Sequence, residues 1–157
     1  MKLAVAAVGR MRDGTPEAVL FRDYQTRFDR TGRALSLGPL SLAEVEDRKG
    51  GGMAAEAVLL NRAVSSGAVT VVLDERGRGL SSPELATELV HWRDSGRAEV
   101  VFLIGGADGL DPALRDRADM AISFGRMVWP HMLVRVMLAE QLYRATTILA
   151  GLPYHRA

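Results

Sequence analysis

Apolar positions along the chain follow two alternating rhythms. Continuous runs such as Leu3 to Val8, Val69 to Leu73 and Val100 to Ile104 have the length and β-branched content of strands buried on both faces. The stretches between them repeat at helical period. The pattern predicts strands over 2–8, 34–38, 68–73, 98–104 and 120–123, and helices over 16–29, 41–65, 82–95, 111–117 and 131–149. Three helix starts are marked by local chemistry. Ser41-Leu42-Ala43-Glu44 reads as a capping box, and Ser82-Pro83 and Asp111-Pro112 each place a cap before a first-turn proline. Strands and helices in alternation, with strands apolar throughout, imply an α/β fold whose parallel sheet is covered on both faces. Ligands in such sheets collect at the carboxyl ends of the strands.

Length and composition narrow this picture. The chain has 157 residues, 48% apolar and 25% charged, which suits a single globular domain over 1–157. The first apolar run is shorter than a secretory core and no A-x-A site follows it, so it reads as a buried strand. Arg135 and Glu140 interrupt the longest candidate for a membrane span, so the expected location is cytoplasmic, with no membrane partner. There is no cysteine, which excludes a disulfide framework, a Cys nucleophile and thiolate metal sites. Three scattered histidines without H-E-x-x-H give no zinc site, so no metal is expected. A serine hydrolase is disfavoured because G-x-S-x-G is missing.

Net charge is +1, which by itself makes no case for nucleic acid and none for DNA. The total is a cancellation, however. Residues 1–35 carry 7 basic against 4 acidic side chains, residues 115–157 carry 6 against 3, and the middle carries 7 against 12. Two basic ends brought together would suit one folded RNA site.

Candidate chemistry concentrates in three loops and a tail. The loops that follow predicted strands are Leu73 to Gly79, Ile104 to Gly109 and Phe124 to Pro130, and their glycines permit close backbone approach to a ligand. None matches G-x-G-x-x-G at a helix start or G-x-x-x-x-G-K-[ST]. The last predicted helix places His131 and Arg135, and then Glu140 and Arg144, four residues apart on shared faces. Its apolar stripe is wider than one core contact requires, which a homodimer face would explain. Gly151 and Pro153 end the helix, and the chain closes on Tyr154, His155 and Arg156.

These motifs stand in an order that is specific in combination. Leu73-Asp74 with its glycine loop, Phe102 to Leu110, Trp129 to Ala145 and the terminal Pro153-Tyr154-His155-Arg156 resemble the ribosomal RNA large subunit methyltransferase H family, over the whole chain. The resemblance implies a SPOUT-type parallel sheet with a C-terminal trefoil knot, a homodimer, and S-adenosylmethionine as methyl donor. It implies methylation of N3 of a pseudouridine in the helix 69 loop of 23S rRNA, in the large subunit or the assembled ribosome. Carried over by position, Leu73, Gly105 and the run Phe124, Gly125, Arg126, Met127, Val128 and Trp129 would line the cofactor site. An imide N3–H must lose its proton before it attacks, which suits His155 as base. Arg135, Arg144 or Arg156 would stabilise charge on the flanking oxygens, and Tyr154 would stack on the base. Two readings stay open beside this one: a SPOUT enzyme methylating a ribose 2′-oxygen, and a non-catalytic ribosome-assembly factor with a vestigial pocket.

Overall fold

The computed structural model describes residues 1–156; Ala157, the last residue of the expected domain, lies outside the described residues. Five strands form one all-parallel sheet in the order β2-β1-β4-β3-β5. They are β1 (Lys2–Val8), β2 (Leu40–Val45), β3 (Val69–Gly79), β4 (Glu99–Ile104) and β5 (Met120–Ser123). The helices are α1 (Pro16–Gly32), α2 (Gly52–Arg62), α3 (Ser82–Asp94), α4 (Pro112–Arg117) and α5 (His131–Leu149).

The period-two geometry of the central strands divides the core in two. Leu3, Val5, Val71, Val100, Phe102 and Ile104 face α1, α3 and α5, meeting Phe21, Phe28, Leu89, Leu138 and Leu142. Ala4, Ala6, Val72, Val101 and Leu103 face the opposite layer, with Ala57 and Leu60 of α2 and Leu114 of α4. The continuously apolar strands are therefore buried on both sides, as their sequence requires. Among the described residues, no helix is long and apolar enough to cross a membrane.

Two stretches depart from the sequence expectation: β3 runs on past the expected end at 73 to Gly79, pairing again with β5 at Arg78 and Gly79 after a register shift, and the region 34–65 is rearranged. The predicted strand over 34–38 is a short 3-10 turn at Arg33–Leu35, and the predicted helix over 41–65 divides into β2, a loop and the shorter α2. Leu40 to Val45 instead pairs with β1 in continuous register, from Leu3 opposite Leu40 to Val8 opposite Val45. The apparent capping box fails because Glu44 lies on this strand, where its carboxylate accepts from Met11 N–H and Arg135. The ladder and this distant ion pair outweigh a local cap signal. At α3 the cap is Ser81 rather than Ser82: its hydroxyl accepts from Glu84 N–H while the Glu84 carboxylate accepts from Ser81 N–H. Asp111 caps α4 as expected, accepting from Ala113 N–H.

Candidate cofactor cleft and C-terminal tail

The stretch expected as a loop from Leu73 to Gly79 is a continuation of β3. Residues Leu73 to Arg76 within β3 and the loops that follow β4 and β5 meet in one cleft of about 350 Å³. This is within the range of small-molecule sites, about 300–1,000 Å³. Leu73, Gly105, Phe124, Gly125, Met127, Val128 and Trp129 all line it; Arg126 alone of the expected cofactor residues does not. Glycines shape two of its turns. A Cβ at Gly105 would stand 2.5 Å from the Gly109 carbonyl oxygen, so this turn closes only around a glycine. Gly125 has φ of +105°, which likewise favours glycine. Ser123 holds the turn by accepting from Gly125 N–H and donating to its carbonyl. Met127 and Val128 are exposed, and the Trp129 indole N–H donates back to the Phe124 carbonyl at 3.4 Å.

Charged groups at one wall escaped the sequence reading. The Asp74 side chain, 7% exposed, accepts from Arg76 Nε at 3.0 Å, Nη2 at 3.2 Å and backbone N–H at 2.9 Å. Arg115 Nη1 lies 3.7 Å from the same carboxylate and has no hydrogen-bond partner among the described residues. Hydrogen bonding by the Arg76 side chain, more than any other influence, holds the Asp74 pKa below the ordinary carboxylate value against the opposing effect of burial. The usable signal was an acidic residue placed directly after the apolar run Val71-Val72-Leu73. His131 and Val134 complete another part of the lining from the first turn of α5.

The expected catalytic residues separate into three places. Arg144 and Tyr154 gather around Glu140 on α5. Arg144 donates from Nε at 3.0 Å and Nη2 at 2.7 Å to Glu140 Oε1, and Tyr154 Oη donates to the same oxygen at 2.9 Å. The Tyr154 ring lies 4.7 Å from that of Tyr143, with the Arg144 guanidinium 4.8 Å from its centroid. Burial, followed by the bond to Glu140, raises the phenol pKa well above its ordinary value, so Tyr154 is a neutral donor at physiological pH. His155 follows half-buried, its Nδ1 without a partner among the described residues, and Arg156 is exposed.

Arg135 lies elsewhere, fully buried at the carboxyl ends of β1 and β2, bonded to Glu44 and the Val8 carbonyl. Burial lowers its pKa, and Glu44 opposes that shift. The expectation that it faces substrate gives way to an internal role, because no part of it is exposed in this chain. Neither Arg144 nor Tyr154, His155 or Arg156 lines the cleft of its own chain. A second, larger cleft of about 630 Å³ also touches Phe124 and Gly125 and is lined by Leu20, Tyr24, Met137 and Glu140. It lacks the glycine-rich turn after β4 and fits a cofactor less well.

Comparison with known proteins agrees with this architecture. Residues 1–155 match the family described as "Predicted SPOUT methyltransferase". The ribosomal RNA large subunit methyltransferase H of Cereibacter sphaeroides is 71% identical over 156 residues, covering 99% of both chains. The proteins of that name from Paracoccus denitrificans and Ruegeria pomeroyi are 68% and 64% identical over the same shares. A crystal structure of a probable methyltransferase from Bordetella pertussis superposes with a TM-score of 0.57 at 17% identity, covering 92% of this chain and 96% of that one; it supports the fold alone. The chain belongs to the SPOUT methyltransferases and, within them, to the ribosomal RNA large subunit methyltransferase H family.

Proposed function

We propose that the protein transfers a methyl group from S-adenosylmethionine to N3 of a pseudouridine in the helix 69 loop of 23S rRNA. The observation that carries this reading is the cleft between Leu73 to Arg76 of β3 and the turns after β4 and β5, where Gly105 and Gly125 stand beside apolar Leu73 and Trp129. Such a surface suits an adenine ring held by main-chain hydrogen bonds and flat apolar contact, without a phosphate-binding fingerprint. Bound there, S-adenosylmethionine supplies a methyl group activated by its sulfonium charge.

What the chain must add is alignment, proton removal and charge stabilisation. His155 accepts the N3 proton through a ring nitrogen. The guanidinium groups of Arg144 and Arg156 face the charge that spreads onto the two flanking carbonyl oxygens. Tyr154 presents an aromatic face to a nucleotide turned out of its loop. Glu140 sets the position of both Arg144 and Tyr154 through a single oxygen.

We further infer that the working unit is a homodimer with a composite site. The described tail residues rest on α5 and line no part of their own chain's cofactor cleft, so a second copy is the simplest source of a tail for that cleft. Exposed Val19 and Leu20 on α1 and exposed Met127 and Val128 beside the cleft offer apolar surface for such pairing. The C-terminal knot belongs to the same proposal: the 124–130 segment that builds the cleft leads directly into α5. Truncation after Leu152 tests this division of labour. Calorimetry with S-adenosylmethionine should give unchanged affinity while methyl transfer is lost; retained transfer would remove the tail from the mechanism.

A further inference from the structure

The start of α5 poses a mechanical problem. The segment 124–130 that walls the cleft runs straight into this helix, yet the helix has no side-chain cap at Pro130 and no acidic residue in its first turn. Pro130 keeps Trp129 out of the helix, but no side chain ties down the free N–H groups of the first turn. Its first turn nevertheless carries His131 and Val134, both of which line the cleft.

The tertiary anchor is one residue further on. Arg135 is fully buried, and its Nη1 donates to Glu44 Oε2 at 3.0 Å while Nη2 donates to the Val8 carbonyl. The same Glu44 oxygen accepts from Met11 N–H. One carboxylate oxygen and one guanidinium thus join the end of β2, the chain leaving β1 and the start of α5. The approach is close: a Cβ at Gly9 would lie 3.7 Å from both Arg135 Nη2 and His131 Nε2. Arg135 Nε has no partner among the described residues. Burying a guanidinium against one carboxylate is a poor source of stability, and a packed apolar side chain of similar size commonly does as well or better. A fixed register for the helix is something an apolar side chain does not supply.

We propose that Glu44 and Arg135 are a positioning pair that sets the register of α5 against β1 and β2 and so fixes the downstream wall of the cofactor cleft. The inference rests on the reading of that cleft as the S-adenosylmethionine site. It makes Arg135 a residue that acts through His131, Val134 and the 124–129 turn rather than by touching RNA.

The test compares the wild-type chain with Arg135→Met, Arg135→Lys and Glu44→Gln. Thermal midpoint, S-adenosylmethionine affinity by calorimetry and single-turnover methyl transfer are measured for each. Arg135→Met should keep or raise the midpoint yet bind S-adenosylmethionine about tenfold more weakly and transfer methyl about 100-fold more slowly, the scale of loss that misalignment produces. Arg135→Lys keeps the charge but cannot span Glu44 and Val8 together, so it should recover only part of the loss. Glu44→Gln should show the same defect, and combining it with Arg135→Met should add little. It also supplies the readout if Arg135→Met does not fold. A folded Arg135→Met or Glu44→Gln chain with wild-type affinity and rate would overturn the pair's role. Failure of the wild-type chain to bind S-adenosylmethionine would remove the cofactor reading and this inference with it.

Discussion

Tyr154 Oη and Glu140 Oε1 lie 2.9 Å apart across 14 residues of sequence, tying the end of the chain to the middle of α5. Because Arg144 donates twice to the same oxygen, one carboxylate organises both the aromatic and the cationic member of the proposed substrate-facing group. Replacing Glu140 by Ala should release both. Methyl transfer is expected to fall by about 100-fold with cofactor affinity unchanged, and parallel calorimetry and transfer assays would read the difference. An equal loss of affinity would place Glu140 in the cofactor site instead.

The docked phenol also has a titration signature. A raised folded pKa means that docking is fully favourable below the ordinary tyrosine value of about 10 and is lost as pH rises through the raised folded value. An ultraviolet phenolate titration should therefore show a strongly alkaline component that Tyr154→Phe removes. If that component survives the substitution, Tyr154 is not the protected phenol.

Gly105 offers a steric test. Alanine there would set a Cβ against the Gly109 carbonyl at 2.5 Å, and a carbonyl in a closed turn cannot swing aside as a flexible side chain can. Gly105→Ala should lower stability by about 1–3 kcal/mol, the usual cost of overpacking, and abolish detectable S-adenosylmethionine binding. Calorimetry on the folded variant measures the second effect separately from the first.

Asp74 predicts an acid limb. Its folded pKa is lowered, chiefly by hydrogen bonding from the Arg76 side chain, so the contribution to stability is present above the ordinary aspartate value. It is lost as pH falls below about 4 through the lowered folded value. Thermal midpoints across acid pH should fall more steeply for the wild type than for Asp74→Asn. Parallel curves would show that the Arg76 contact contributes nothing.

Strands and helices with strong periodic signals were legible from the sequence. Met120–Ser123 and His131–Leu149 have the predicted bounds, because burial on two faces or along one stripe leaves a pattern in the residues themselves. The failure at 34–65 has a physical cause. Leu40 to Val45 is a short edge strand only partly buried, and a Ser and a Glu at cap spacing resemble a helix start when the partner strand is out of view. The site follows the same division. Glycine turns after apolar runs revealed the cleft, since the close approaches they permit are encoded in single residues. The roles of Arg135 and Arg115 depend on partners brought from distant elements, Glu44 and Asp74, and no local spacing reveals such pairs.

Mapping of 23S rRNA modifications in cells with and without this protein tests the central claim most directly. Mass spectrometry of the helix 69 fragment should show an N3-methylated pseudouridine that disappears when the gene is removed and returns with the wild-type gene, but not with the chain truncated after Leu152. Persistence of that methyl group in the deletion strain, or loss of a ribose methyl group in its place, would contradict the account.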